Sequence, residues 1–324
     1  MRDSLVDRQS VERLLLISGA VRAGLIDALS REGASSVDEV AGVSGGDPRA
    51  VGVVLEALTA EGIVERVAVD GDARYRLSAL GRAHLLDEGP DLERSGLLHL
   101  ANRVKGWLDL PEVIRTGKSL PRDPARRDVR SFVSAMGERE PEMLDEIVER
   151  CLTFAGQIRT MIDIGGAVGH MARQFSRCGV RATLLDRDNV LPFAREFLGK
   201  EGADIAFVGG DFTESLPAGP FDLAYLGNVF HIYGPETDAR LVHEVYEILN
   251  PGGTVAIQDH VWGRSPRAAL FAVNMLQATE EGGVWTEEQY RQWLREGGFE
   301  EVEIADLDTT NAQLILGRKP RMQA

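Results

Sequence analysis

The stretch that most constrains the fold runs from residue 161 to residue 190 and is built around a glycine turn. A buried strand ending at Ile164 leads into the turn, a helix follows from about residue 170 to 178, and a second strand ends at Asp186. Glycine is required where a backbone turns tightly or approaches a ligand closely. The glycines of this turn are Gly165, Gly166 and Gly169. The pattern predicts a strand–turn–helix–strand unit of a parallel sheet.

The second strand of this unit ends in an acidic residue that is well placed for a nucleoside. Asp186 follows Gly165 by 21 residues, at a strand tip where a carboxylate accepts hydrogen bonds from the two hydroxyls of a ribose. The free amide hydrogens at the start of the intervening helix face whatever lies over the glycines. We therefore predict a nucleoside-containing cofactor; the alternative is a tight turn that binds no ligand.

The spacing of the turn distinguishes between nucleoside cofactors. Ala167 and His170 occupy two positions where the nicotinamide and flavin fingerprint requires glycine. The chain instead has Asp163, Gly165 and Gly169, which resembles the cofactor motif of S-adenosylmethionine-dependent methyltransferases. A carboxylate near the loop suits that ligand, because its methionine end carries an ammonium and a sulfonium group rather than a pyrophosphate.

Composition excludes several classes of protein. The 324 residues are 44% hydrophobic and 27% charged, which is typical of a globular protein large enough for two domains. The net charge of −15 disfavours a nucleic-acid partner held through phosphates. Two cysteines are too few for a disulfide framework. Because no long apolar stretch or signal peptide is visible, we expect a cytoplasmic protein.

The first 90 residues are predicted to form a winged-helix domain. Helical periodicity covers residues 9–30 and 37–43, and a third helix begins at Asp47-Pro48. Two alternating segments then meet across Asp70-Gly71, a strong hairpin signal. The third helix carries a single base, Arg49, beside three carboxylates, which is the wrong balance for a DNA groove. We therefore favour dimerisation over DNA binding for residues 1–90.

The remainder divides into a helical connector, residues 91–155, that contributes to a substrate pocket, and an α/β domain, residues 156–324. Strands alternate with helices in the latter, which predicts a parallel sheet whose site lies beyond the strand carboxyl ends. Polar residues fall at five of the predicted strand tips, and these are Asp163, Asp186, Asp211, His231 and Asp259. This repeated placement indicates a binding site along one sheet edge.

Taken with these motifs, the whole chain resembles small-molecule O-methyltransferases such as plant caffeic acid O-methyltransferase, and still more the bacterial enzymes that methylate polyketides. The motifs are Asp163-Ile-Gly-Gly-Ala-Val-Gly, Gly210-Asp-Phe, Asn228-Val-Phe-His, Leu249-Asn-Pro-Gly-Gly and Gly297-Gly-Phe. The resemblance implies a Rossmann-like class I methyltransferase domain with a mostly parallel seven-stranded sheet, preceded by a winged-helix dimerisation domain. It also implies a homodimer that binds a small-molecule substrate.

The resemblance assigns roles to individual residues. The cofactor, S-adenosylmethionine with S-adenosylhomocysteine as product, would contact Asp163, Gly165, Gly166, Gly169, Asp186, Asp211, Phe212 and Asn228. The catalytic residues would be His231 and Asp259. The substrate would contact Met136, Trp262, Asn274 and Met275, with His99 and Trp107 as further candidates.

His231 matches the general base of the family, because an imidazole that titrates near neutral pH can take the proton of a hydroxyl as its oxygen attacks. Asp259 would orient it. The chain departs from the family where Ile232 and Tyr233 follow the histidine. His260 is expected to point away from the site, since neighbours alternate faces in a strand.

Three alternatives stay open at this point. The same scaffold could perform C-methylation, hydroxylation or a pericyclic rearrangement. The chain could be a winged-helix regulator. A metal held by His231 and His260 is a third reading, although the spacing supplies no complete set of ligands.

Overall fold

The structure is a computed structural model that describes residues 7–31, 33–86, 93–120 and 141–321. The chain forms two compact units, residues 1–105 and residues 106–324. The predicted division into residues 1–90, 91–155 and 156–324 stays a prediction. Met136, expected to contact substrate, lies outside the described residues, as does the helix predicted over residues 131–136.

The first unit consists of short helices followed by a hairpin. Its elements are α1 (Arg8–Arg22), α2 (Leu25–Ala28), α3 (Val37–Ser44), α4 (Pro48–Ala60), β1 (Val64–Val69), β2 (Asp72–Leu77) and α5 (Ala79–Leu85). Helix α6 (Arg94–Leu108) begins in this unit and ends in the second. A single helix was predicted over residues 9–30, but the structure breaks it between Arg22 and Leu25, because Gly24 adopts a left-handed φ of +74°.

Local signals place α4 and the hairpin as predicted. Asp47 caps α4 by accepting the Ala50 amide at 2.9 Å, with Pro48 in the first helical turn. Asp70 and Gly71 both adopt positive φ and join β1 to β2, which pair antiparallel from Val64↔Leu77 to Val69↔Asp72. The predicted hairpin is therefore confirmed.

The second unit is built on a seven-stranded sheet. After α7 (Leu110–Thr116) and α8 (Pro141–Ala155) come β3 (Thr160–Ile164), α9 (His170–Arg177), β4 (Arg181–Asp186), α10 (Leu191–Leu198), β5 (Ala206–Gly209), β6 (Phe221–Gly227), α11 (Pro235–Ile248), β7 (Leu249–Asp259), α12 (Pro266–Ala278), α13 (Glu287–Glu296), β8 (Glu300–Asp306) and β9 (Gln313–Arg318). The strand order is β5-β4-β3-β6-β7-β9-β8. Only β9 runs antiparallel to its neighbours among these seven strands. The predicted mostly parallel sheet is confirmed.

The central strands are apolar on both faces because helices cover both. Ile147 of α8 and Phe175 of α9 pack on one face, and Leu241 of α11 and Leu294 of α13 pack on the other. The chain order reverses between β3 and β6, so a crevice opens at the carboxyl ends of these strands. The fold thus places the turn after β3 at the usual binding position of an open α/β sheet.

The junction between α11 and β7 contains no loop. Helix α11 ends at Ile248, and β7 begins at the next residue, Leu249. Leu249 pairs with Phe221, and the register then shifts so that Thr254 pairs with Leu223. In the described part of the chain, no helix is long and apolar enough to cross a membrane. The cytoplasmic location stays a prediction from the sequence.

Candidate active site

The turn between β3 and α9 requires glycine for steric reasons that the structure makes specific. Gly165 and Gly169 adopt φ of +69° and +84°. A β-carbon on Gly165 would lie 3.1 Å from Cγ2 of Val229, and one on Gly169 would lie 2.6 Å from Cδ1 of Leu184. These contacts are to the protein itself, so packing alone explains both glycines. The turn still ends at the amino terminus of α9, where backbone amides are available to a ligand.

Asp163 connects the strand to the following helix. Its side chain is 2% exposed, and Oδ2 accepts the amide of Ala172 at 3.1 Å in the first turn of α9. A β-carbon on Gly166 would lie 2.6 Å from the Asp163 carboxyl carbon, so the turn folds tightly over this carboxylate. Asp163 therefore fixes the shape of the loop, and its predicted contact with the methionine end of the cofactor stays a prediction.

Asp186 holds the same loop from the neighbouring strand. Oδ2 accepts the amide of Ala167 at 2.8 Å, and Oδ1 accepts the amide of Arg187 at 2.7 Å. Burial raises the pKa of Asp186, while these two amides oppose the rise. Each carboxylate oxygen has more than one lone pair, so both can still accept a hydroxyl hydrogen. The predicted ribose contact is compatible with this geometry.

Asp211 and Phe212 follow β5, the next strand along the same edge. The Thr213 hydroxyl and amide donate to Asp211 Oδ1 at 2.6 and 2.9 Å and lower the pKa of Asp211. The Arg187 guanidinium lies 3.5 Å from Oδ2. Phe212 is 8% exposed and meets Tyr233 nearly at right angles, with 5.7 Å between ring centroids. A carboxylate and two aromatic rings therefore lie together where the adenine is expected.

Asn228 directly follows β6 and adopts the left-handed region, with φ of +59°. Asparagine tolerates this conformation better than most residues. Its amide donates to the carbonyl of Gln258 at 2.8 Å, which ties the end of β6 to β7. The backbone therefore turns sharply just before the segment that carries the predicted base.

His231 and Asp259 are brought together by the ends of two adjacent strands. His231 lies in a 3-10 helix, residues 230–232, after β6, and Asp259 ends β7. Nδ1 of the imidazole lies 2.8 Å from Oδ1 of Asp259, and the His231 amide donates to Oδ2 at 3.1 Å. The imidazole is 7% exposed and the carboxylate fully buried. Ile232, where the chain departs from the family, is 40% exposed, and its backbone amide donates to the carbonyl of Val229 at 3.0 Å.

His260 lies closer to the site than strand alternation predicts. Its ring packs on Phe271 at 4.5 Å between centroids, and the ring of His231 packs edge-on against the same phenyl ring at 4.8 Å. Strand β7 ends at Asp259, so alternation no longer governs residue 260. His260 Nδ1 lies 3.3 Å from the carbonyl of Asn311, and burial lowers the pKa of His260.

The predicted substrate residues differ in exposure. Trp262 is 50% exposed, whereas Asn274 and Met275 of α12 are 6% and 7% exposed. The Gln277 amide donates to Asn274 Oδ1 at 3.0 Å. His99 and Trp107 lie on α6, on opposite sides of the boundary between the two units, and both are half-buried. Their contact with substrate stays a prediction.

Two residues near the base were not identified from the sequence. Phe271 lies on α12, and the apolar periodicity of this helix did not contribute to the predicted site. Asp238 is fully buried in α11. It continues the buried stripe of Leu241, Val242 and Val245, so helical spacing would have identified a carboxyl group inside the core.

The candidate residues therefore follow the sheet order: Asp211 after β5, Asp186 ending β4, the glycine turn after β3, His231 after β6 and Asp259 ending β7. The predicted nucleoside-binding residues thus lie along one edge of the sheet, and the hydrogen-bonded side chains of His231 and Asp259 lie at one end of it. No group of three or more His, Cys, Asp or Glu side chains suited to a metal occurs among the residues that the structure describes.

Comparison with known proteins places the chain in a family. Residues 118–300 match the O-methyltransferase domain family. The tetracenomycin polyketide synthesis 8-O-methyl transferase of Streptomyces glaucescens is 30% identical over 85% of this chain and 84% of its own. The 3-hydroxy-5-methyl-1-naphthoate 3-O-methyltransferase of Streptomyces sahachiroi is 27% identical over 88% and 86%.

Solved structures share the fold. PigF, solved with S-adenosylhomocysteine, superposes with a TM-score of 0.78 at 24% identity over 97% of this chain and 100% of its own. Human N-acetylserotonin methyltransferase, solved with S-adenosylmethionine, superposes with a TM-score of 0.75 at 21% identity. The match covers 98% of this chain and 99% of its own. The chain is therefore a methyltransferase of the S-adenosylmethionine-dependent class. It belongs to the O-methyltransferase domain family.

Proposed function

We propose that this enzyme methylates a hydroxyl of a small aromatic, polyketide-like acceptor and that His231 is its general base. The pairing of His231 with Asp259 carries the proposal, because it places an oriented imidazole on the sheet edge where the nucleoside crevice lies. The two Streptomyces relatives are named for 8-O-methylation in tetracenomycin polyketide synthesis and for 3-O-methylation of a hydroxynaphthoate. Both names describe methyl transfer to an oxygen.

The residues present fit S-adenosylmethionine. Asp186 keeps acceptor capacity for ribose hydroxyls, and Phe212 and Tyr233 offer two aromatic faces beside Asp211. The turn ending at Gly169 presents amides at the start of α9. When bound, the cofactor supplies an electrophilic methyl carbon attached to a sulfonium. Asp163, Gly165, Gly166 and Asn228 shape the loop and strand end beside it.

The base is oriented by its carboxylate. Because Asp259 accepts from Nδ1, the hydrogen of the neutral imidazole resides there and Nε2 is left as the proton acceptor. As Nε2 takes the proton of the acceptor hydroxyl, Asp259 stabilises the imidazolium that forms. The buried position of the pair strengthens this interaction.

The residues near the base suit a flat acceptor. Phe271 lies edge-on to His231, and Met275 is on the same helix, so the wall is apolar on this side. The half-exposed indole of Trp262 adds a planar surface. Binding sites for aromatic ligands combine such surfaces with a few polar groups, here the amide of Asn274.

We also propose that the first unit is a winged-helix domain that forms a homodimer. Val11 and Leu15 lie one turn apart on α1 and are 43% and 47% exposed. Apolar side chains on one helical face are suited to a second copy of the chain. The acidic balance of α4 argues against the alternative of DNA binding.

The decisive experiment is to incubate the purified protein with S-adenosylmethionine labelled on its methyl group and with a panel of hydroxynaphthoates and anthraquinone phenols. Mass spectrometry then locates the label. We expect the label on an oxygen, with a strongly reduced rate of transfer in His231→Ala. Label on carbon, or a changed product without label, would favour C-methylation, hydroxylation or rearrangement on the same scaffold.

A further inference from the structure

Helix α11 contains a buried carboxyl group that no step above uses. Asp238 is fully buried, and neither of its oxygens has a hydrogen-bond partner among the described residues. The hydroxyl of Tyr290, on α13, is in the same condition, with its residue 1% exposed. Burying a polar group without a partner is costly, so two such groups in one region call for an explanation.

Asp238 and Tyr290 both lie near the His231–Asp259 pair. The amide of Asp238 donates to the carbonyl of Gly234, which places the residue in the first turns of the helix that follows the His231 segment. The ring of Tyr290 packs against Phe230, the neighbour of His231, with 5.8 Å between centroids. The charge of Asp259 acts directly on both Asp238 and Tyr290.

Among the residues that the structure describes, no positively charged side chain pairs with Asp238. The groups that face it are Asp259 from β7, Tyr290 and the indole of Trp285, and a carboxylate of Glu281 lies against the nearby Gly234. No ion pair of Asp238 occurs within the described ranges. The Trp285 N–H donates to the carbonyl of Phe230 at 3.1 Å and so is already engaged.

A carboxyl group in such a place keeps its proton. Burial, followed by the charge of Asp259, raises the pKa of Asp238 to about 9, against a smaller lowering by Trp285. A second carboxylate beside the imidazole would favour a proton on the ring, and a protonated imidazole cannot act as a base. The charge state of Asp238 therefore matters for His231.

We propose that Asp238 is a positioning residue that supports the His231–Asp259 pair as a neutral carboxylic acid, so that the imidazole faces one buried negative charge and not two. The hydroxyl of Tyr290 shares the same buried region. The proposal rests on the proposed role of His231 as base, but the state of Asp238 can be observed without any catalysis.

Infrared difference spectroscopy on the full chain without added ligands tests the state of Asp238. The difference between the infrared spectra of wild type and Asp238→Asn at pH 7 is expected to show the C=O stretching band of a neutral carboxylic acid. Tyr290→Phe should keep this band but shift its frequency. Asp188→Asn, at an exposed aspartate, is the matched control and should show carboxylate bands only. Carboxylate bands alone for Asp238 would overturn the proposal.

Titration of the His231 imidazole by NMR, assigned with His231→Ala, tests the effect on the base. Asp238→Asn exchanges a neutral acid for a neutral amide, so the titration midpoint of the His231 imidazole should stay unchanged. A midpoint lowered by about one pH unit or more, as expected for the loss of a nearby charge, would contradict the proposal.

If Asp238→Asn does not yield folded protein, wild type labelled with ¹³C in its aspartate carboxyl groups decides the question. The neutral-acid band must be present at pH 7 and disappear on titration through about pH 9. Its absence at pH 7 refutes the proposal. A protein that shows the band but transfers no methyl group would refute the proposed function while leaving the assignment of Asp238 intact.

Discussion

His231 is held by Asp259 at two points, since one carboxylate oxygen lies 2.8 Å from the imidazole Nδ1 and the other accepts the His231 backbone amide at 3.1 Å. The side-chain contact fixes the tautomer, and the backbone contact fixes the segment that carries the ring. A third bond, from the His260 amide at 2.7 Å, fixes the carboxylate itself. The position of the His231 ring therefore depends on Asp259.

This relationship predicts the effect of replacing either partner. His231→Ala should lower kcat by about 10²–10⁴-fold, the usual contribution of a general base. Asp259→Asn should lower it by at least about 10²-fold, because an amide can donate to Nδ1 and favour the wrong tautomer. Steady-state kinetics with the acceptor identified by mass spectrometry checks both. The matched control is His260→Ala, and a larger loss there than in His231→Ala would assign the base to His260.

The glycine turn predicts a stability effect with an internal control. Gly169→Ala places a β-carbon 2.6 Å from the buried Leu184 side chain at a φ of +84°. Gly179→Ala has nearly the same φ, +81°, but meets nothing within 4 Å. Both incur the cost of positive φ, and Gly169→Ala should lose about 1–3 kcal/mol more through overpacking. Urea unfolding measures the difference; equal losses would show that the turn adjusts freely.

The sequence predicted those parts of the fold whose signals lie within a short stretch of chain. The unit from β3 to β4 was located because glycine, buried strands and Asp186 are signals within a short stretch of chain. The partnership of His231 and Asp259 spans 28 positions. It was expected from the resemblance to the family, which often carries an acidic partner at the strand tip of Asp259, but its double hydrogen bond depends on a 3-10 helix that no local pattern indicates.

Other features depended on tertiary packing. The break at Gly24 was missed because the apolar periodicity continues through residues 25–29, and periodicity cannot register one left-handed residue. The buried state of Asp238 follows from packing of α11 against β7 and α13, although the helical stripe offered an unused signal. The glycine pattern alone also could not separate a ligand contact from crowding by Leu184 and Val229.

Cofactor affinity should depend on the carboxylate of Asp186. Asp186→Asn is expected to weaken binding of S-adenosylmethionine and S-adenosylhomocysteine by about 10–100-fold, since a hydrogen bond to a charged acceptor is lost. Burial raises the pKa of Asp186, so its carboxylate takes up a proton as the pH drops. The affinity of wild type for both ligands should then fall, whereas that of Asp186→Asn should not. Calorimetry measures both, with the exposed Asp188→Asn as the control. Equal affinities of the two variants would remove Asp186 from the site.

The exposed apolar face of α1 predicts a specific effect on assembly. Leu15→Arg should convert a dimer into a monomer, because a buried, unpaired guanidinium is costly in an apolar interface. Sedimentation velocity at several concentrations gives the mass directly. Val69→Arg changes an equally exposed valine at the end of β1, 40% exposed, and serves as the control. A monomeric wild type would contradict the proposed dimer, and a monomer from the control alone would move the interface to the hairpin.

The raised pKa of Asp238 predicts how stability changes with pH. In the unfolded chain this carboxyl loses its proton near its ordinary value of 3.8, whereas in the folded protein it keeps the proton up to about pH 9. Folding therefore takes up a proton between these values, and the free energy of unfolding falls as the pH rises, by at most about 1.4 kcal/mol per pH unit. Asp238→Asn lacks this dependence.

Thermal or urea unfolding at intervals from about pH 5 to about pH 10 compares the two proteins. Asp238→Asn should gain stability relative to wild type at each step upward, because wild type alone must hold a buried proton against a rising pH. The difference should level off above about pH 9, where the folded wild type also ionises. The free energy of unfolding of Asp188→Asn should change with pH in the same way as that of wild type. A parallel course for Asp238→Asn would mean that its carboxyl titrates alike in the folded and unfolded chains, and hence that it is ionised beside Asp259.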